Sequence, residues 1–141
     1  WGNIEELEAA AFEMSWRVNS LGLFQVAKEV VPEMVERQAG SIVVVGATAS
    51  LRGKPFTTAF APAKAAQRSL AQAMARHLAP KGVHVGLIII DGLVLEPETV
   101  DAETPKGLNP EHIAQAAAFL VNQPRTAWTF ELDVRPNTEN W

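Results

Sequence analysis

Lys64, Asn19 and the dipeptide Asp91-Gly92 are where this chain sets polar chemistry among apolar neighbours. Lys64 stands four residues after Phe60 in an Ala-rich stretch, and taken alone it reads as a solvated lysine on a helix. Asn19 lies inside an apolar helical run, where an amide is costly unless it finds a partner. Capping a local kink beside Gly22 is one account of it, and a functional role is the other. Asp91-Gly92 follows a β-branched run and by itself is a turn after a strand. Hydroxyls stand at Thr48 and Ser50, and the chain has no tyrosine. The histidines His77, His84 and His112 fall on a helix, a strand and a helix without ligand-like spacing, and there is no cysteine, so no metal site is expected. None of the nine glycines has the Gly-x-Gly spacing of a phosphate-binding turn; Gly82-Val83-His84-Val85-Gly86 lies across a strand.

At 141 residues, 48% hydrophobic and 20% charged, the chain has the composition of one soluble globular domain with a single core. A net charge of -4 without any dense block of Lys or Arg argues against nucleic acid and anionic membrane as partners. The absence of cysteine removes a disulfide framework and fits a reducing compartment, so a cytoplasmic location is expected. The longest apolar stretch, residues 83–90, is far too short to span a bilayer, and no basic-then-apolar leader opens the chain. The sequence starts at Trp1 in the lead-in to a helix, which raises the expectation of a longer protein. Trp1 and Trp141 read as docking or merely terminal residues.

From residue 4 to about 35, Leu7, Ala10, Ala11, Met14, Val18 and Leu21 recur three and four apart, predicting one long helix that Pro32 ends or kinks. Residues 36–40 form its exit. Residues 42–45 are β-branched throughout and predict a strand buried on both faces of a parallel sheet. A loop over 48–57 leads to an Ala-rich helix over 58–79, stopped by Pro80 and Gly82. Residues 83–90 form a second buried strand, so strand, helix and strand make one right-handed crossover. The aperiodic stretch 91–108, with Pro97, Pro105 and Gly107, is long enough for a flap over a site. Asn109 caps a third helix with Pro110 in its first turn, running to about Asn122. Alternation of Trp128, Phe130, Leu132 and Val134 with polar residues predicts a last, half-exposed strand. Three strands alone would leave an unpaired sheet edge, so further strands are expected from an N-terminal segment or a partner chain.

The run Gly40-Ser41-Ile42-Val43-Val44-Val45-Gly46-Ala47-Thr48-Ala49-Ser50, with Trp16-Arg17-Val18-Asn19 before it and Phe60-Ala61-Pro62-Ala63-Lys64 after it, resembles the second half of the short-chain dehydrogenase/reductase family. The likeness extends through Pro80-Lys81-Gly82-Val83-His84-Val85 to the final strand, nearly the whole chain. It implies a Rossmann-like, doubly wound parallel α/β sheet, of which residues 1–141 are a single domain forming the C-terminal portion, with three strands and three helices. In that family a Tyr moves the hydroxyl proton as hydride passes to or from the nicotinamide, and a Lys four residues on lowers its pKa and holds the ribose. A Ser thirteen residues before the Tyr polarises the carbonyl, and an Asn on the preceding helix holds a water. Asn19 and Lys64 match; Ala47 stands at the Ser position and Phe60 at the Tyr position. Thr48 is expected to point away from the site and Ser50 to lie in the loop, so neither replaces the lost hydroxyls.

Ile90-Asp91-Gly92-Leu93-Val94 occupies the family's Pro-Gly segment, with Asp91 in place of Pro, Glu96 near the usual Thr, and Val94 where a backbone meets the nicotinamide amide. Lys64, Asp91, Gly92 and Val94 are thus the cofactor-binding candidates that the resemblance implies. The chain ends its last strand in Asp133-Val134-Arg135-Pro136 where the family more often has Asp-Gly-Gly. The implied cofactor is NAD or NADP in a full-length form, with no tight binding by this chain alone because the glycine fingerprint is absent. The implied activity is an oxidoreductase on a small carbonyl or alcohol; the alternative is a catalytically inactive relative serving as a binding or assembly subunit. Ala-rich faces predict a homodimer or homotetramer through the helices at 4–35 and 58–79.

Overall fold

A computed structural model describes residues 1–101, 103 and 106–140, so the sequence readings on Pro105 and Trp141 lie outside the described residues. Three parallel strands, β1 (Gly40–Ala47), β2 (Val83–Ile90) and β3 (Glu131–Val134), pair in the order β1-β2-β3. All eight residues of β2 are buried, as the unbroken apolar run requires of a central parallel strand. Helices α2 (Gly22–Glu36) and α3 (Phe60–Leu78) cover one face of the sheet, and α4 (Pro110–Val121) covers the other. On the first face Val44, Leu87 and Ile89 pack with Ala71 and Leu23; on the second, Ile88, Ile90 and Val43 pack with Leu120 and Ile113.

Several boundaries differ from the sequence reading. The first helix starts at Ala9 instead of residue 4, because the Asn3 side chain accepts from the amides of Glu5 and Glu6 and holds a separate turn. It proceeds as α1 (Ala9–Trp16), a π-helical turn over Arg17–Leu21, and α2. Pro32 does not end it; the helix continues to Glu36 because Val31, Met34 and Val35 are packed against Leu78, Val83 and Val85. The exit is a turn with Gln38 at φ 52, closely opposed to Gly82. Gly82 has φ 80, and a Cβ there would lie 2.4 Å from the Gln38 carbonyl oxygen, so only glycine fits.

Burial on both faces fails for β1. Val45 is 52% exposed, since β1 is an edge strand with nothing paired on its far side. The final strand is also shorter than the alternation suggests. Gln123 takes Thr129 out of the ladder, accepting from its amide and donating to its hydroxyl, both at 2.8 Å, while Trp128 stacks on His84 with centroids 4.9 Å apart. Helix α4 is capped as expected, the Asn109 side chain accepting from the Glu111 amide. Residues 91–108 are pinned at their base by a bridge between Val94 and Leu108, and Leu108 itself is buried.

Candidate functional site

The C-terminal ends of β1 and β2 and the first turns of α3 converge on one region, because parallel strands present their carboxyl ends together. Two serines fix the helices there. Ser15 Oγ donates to the Ala59 carbonyl at 3.2 Å and Ser20 Oγ to the Ala63 carbonyl at 2.9 Å, stitching the π turn to the start of α3. Small residues at Ala61 and Ala63 allow that close approach. Asn19 is therefore held beside the helical turn that carries Lys64. Its amide donates to the Ser15 carbonyl at 2.9 Å, one turn earlier in the same helix. The side chain thus serves the local irregularity, and the π turn is itself a feature frequent at functional sites.

Lys64 is not a solvated lysine. Its ammonium donates to the Val45 carbonyl at 3.1 Å and to Gln67 Oε1 at 3.0 Å, and sits 5.8 Å from the Phe60 ring centroid. Burial pushes its pKa below the usual 10.5, since a charge in a half-dry site is disfavoured. The Val45 carbonyl lies two residues before Ala47, so the cation is anchored to the strand end where the family's Ser would stand.

Ala47 and Phe60 line one cavity of about 270 Å³ together with Trp1, Phe56, Ile90 and Leu93. Residues 1–8 reach it because the Gly2 amide donates to the Phe56 carbonyl at 3.1 Å, laying Trp1 against Phe60 with centroids 5.4 Å apart. Thr48 is among the residues that line this cavity. The strand stops at Ala47 and the backbone enters a 3-10 turn over Thr48–Ser50, so strand alternation no longer decides which way side chains face. Ser50 Oγ is buried with no hydrogen-bond partner.

Asp91 is only 4% exposed, and its two oxygens face separate guanidinium groups, Oδ1 at 3.9 Å from Arg52 Nη2 and Oδ2 at 3.7 Å from Arg135 Nε. Its amide donates to the Val134 carbonyl at 3.0 Å, extending the β2–β3 ladder. Gly92 has φ 137, and a Cβ there would come 3.0 Å from Leu108 Cδ1 and 3.1 Å from Pro136 Cδ. The bridge at Val94 uses the Leu93 carbonyl and the Leu95 amide, so it leaves the peptide groups of Val94 itself uncommitted. Lys64 and Val94 are the residues that could hold the ribose and nicotinamide end of a dinucleotide; the described residues offer no glycine-rich cradle for its phosphates. Arg52, Lys54 and Arg135 were missed in the sequence. The available signal was that Asp91 and Arg135 both depart from the family pattern at adjacent strand ends, and a buried acid requires a partner.

Residues 1–103 match the family model described as short chain dehydrogenase. The chain belongs to the short-chain dehydrogenase family. Within that family it is similar to an uncharacterised oxidoreductase of Staphylococcus saprophyticus, 30% identical over 135 residues, covering 94% of this chain and 57% of the relative. It is also similar to a Xanthobacter autotrophicus protein named inactive 2-(S)-hydroxypropyl-CoM dehydrogenase 2, at 30% identity over 139 residues, covering 86% of this chain and 60% of that one. Among solved structures, a short-chain dehydrogenase from Rhodopseudomonas palustris is 36% identical with a TM-score of 0.81, covering 95% of this chain and 56% of that structure. This short-chain dehydrogenase chain therefore spans just over half the length of the relatives it matches. No helix among its described residues is long and apolar enough to cross a membrane, and no described cluster of His, Asp or Glu could hold a metal ion.

Proposed function

We propose that this chain is the C-terminal half of a nicotinamide-binding oxidoreductase-type protein whose proton relay is interrupted, leaving carbonyl or alcohol turnover weak. The observation that carries the reading is Lys64 held on the Val45 carbonyl beside a wall made of Ala47 and Phe60. On this reading Lys64 is the cation for a ribose, and Ala47 and Phe60 bring no hydroxyl for the carbonyl. A nicotinamide bound in the full-length protein would give or take the hydride. The chain's own part is to orient the ribose through the Lys64 ammonium, to receive the carboxamide on the Val94 peptide groups, and to wall the substrate side with Phe60. Without a positioned acid the proton must come from solvent, a loss of about 10²- to 10⁴-fold.

The test uses the full-length protein, titrated with NADH and NADPH and assayed with small aldehydes and ketones. Cofactor binding is expected, lost in Lys64→Met. Turnover is expected to rise by about 10²-fold or more in A47S/F60Y, as the restored phenol would sit beside Lys64. Wild-type turnover equal to that of A47S/F60Y would refute the interrupted relay.

A second reading, a non-catalytic relative kept for binding or assembly, is favoured by the packing of Phe60 against Trp1 and by the relative named inactive. It predicts that A47S/F60Y stays silent. Either reading includes a homodimer or homotetramer formed through the helices at 4–35 and 58–79.

A further inference from the structure

We propose that the cavity beside Ala47 and Phe60 binds an organic carboxylate on an aromatic body. Three rings form its wall: Trp1 lies 5.8 Å from Phe56 and 5.4 Å from Phe60, centroid to centroid. Ile90 and Leu93 continue the apolar lining, so the enclosed part of a ligand must be apolar. The rim carries Arg52 and Lys54, and no Asp or Glu lines the cavity, in a chain whose net charge is -4. The cations gather there against the overall charge, which selects an anion over a neutral or cationic group.

Both cations remain available. Arg52 faces Asp91 at 3.9 Å, too far for a hydrogen bond, and Asp91 also faces Arg135 at 3.7 Å, which itself donates to Asp133 at 2.9 Å, so Arg52 is only loosely held by its acid. Half of the Arg52 side chain stays in water, where its remaining donors can meet a ligand. Lys54 is fixed by its backbone: its amide donates to Thr57 Oγ1 at 2.8 Å, and that hydroxyl donates back to the Lys54 carbonyl at 3.0 Å. The resulting turn holds Lys54 and Phe56 on the same rim. Lys64 is not among the residues that line the cavity, and two of its three ammonium donors are engaged with Val45 and Gln67, so the anion's partners are Arg52 and Lys54.

This rests on the proposed function only in treating the cavity as the substrate side of the site, so that the small carbonyl or alcohol would also carry a carboxylate. The experiment is calorimetric titration of the full-length protein with 2-naphthoate and with its neutral analogue 2-naphthamide. Naphthoate should bind about ten-fold more tightly, the scale of one charge-assisted hydrogen bond. That preference should shrink in Lys54→Gln and vanish in R52Q/K54Q, with naphthamide affinity unchanged as the sign of an intact pocket. Phe60→Ala should weaken both probes alike. Equal affinity for the two probes, no binding of either, or a preference surviving R52Q/K54Q would overturn the proposal. NADH titration of the same samples separates the two readings: anion preference without cofactor binding removes only the oxidoreductase reading, and cofactor binding without anion preference removes only this one.

Discussion

Lys64 gives up its proton more readily than a free lysine because its ammonium is half-buried with only two neutral acceptors. The sign of the consequence differs for stability and for binding. Below its lowered folded-state pKa, both folded and unfolded chains carry the charge and the fold bears the full desolvation cost. As pH rises from that value toward the usual 10.5, the unfolded chain holds more protons and stability climbs. Thermal melts across the alkaline range should show this rise relative to Lys64→Met. Cofactor affinity should fall over the same range, since a neutral amine is a poorer partner for a ribose hydroxyl, and an affinity that stays level would contradict the ribose role. Lys64 and Asn19 were legible in the sequence because their offsets from neighbouring motif residues are fixed. The pairing of Asp91 was not, since its partners Arg52 and Arg135 come from the loop after β1 and the end of β3, brought together only by strand order. Asp91→Asn should cost about 3 kcal/mol in urea unfolding, the low end for breaking a buried ion pair, because Arg52 keeps its water. An unchanged midpoint would show that the two ion pairs contribute nothing to stability.

Elements followed the sequence where the apolar period was long and uninterrupted. Strand β2 emerged with the expected bounds, and α4 with its Asn109 cap, because both signals are local. Pro32 misled for a tertiary reason: packing of Val31, Met34 and Val35 against the sheet outweighs one missing helical hydrogen bond. The short β3 depends on Gln123 and His84, and no periodicity reveals a side-chain amide that captures Thr129. That short strand is tied to α3 by Arg68 and Glu131, which form two hydrogen bonds at 2.6 and 3.1 Å; the bond to Glu131 raises the arginine pKa despite partial desolvation. Because both side chains keep about a third of their surface in water, Glu131→Gln should cost about 1 kcal/mol, shrinking as salt is added. A loss that does not respond to salt would mean packing, not charge, holds β3 to the helix.

At the scale of the molecule, β1 presents an unpaired edge with Val45 half in solvent, while Met14, Val18, Phe24 and Val26 lie exposed along the first helix. Both are surfaces that a further strand or a partner would cover, and the chain spans 56 to 60% of the length of these relatives. Light scattering of the full-length protein should give twice or four times the monomer mass, and a monomer would remove the assembly through the helices at 4–35 and 58–79. The crossover joining the first two strands and both helical layers could be read from the sequence, since parallel strands apolar on both sides require them; the place of β3 in the sheet could not, nor could the residues that close the cavity, as Trp1 reaches it through the bridge between Gly2 and Thr57.

The triad of Asp91, Arg52 and Arg135 also constrains how this chain can change. Asp91→Pro alone would leave Arg52 without its acid and Arg135 with Asp133 alone, and would delete the amide bonded to Val134. Replacing Arg135 by glycine alone would strand a buried carboxylate with one distant cation. The two positions share a contact at 3.7 Å, so the costs of changing Asp91 and Arg135 are expected to be non-additive in a double-mutant cycle. Asp91 and Arg135 thus form one unit at the ends of β2 and β3, and neither can be exchanged without a response from the other.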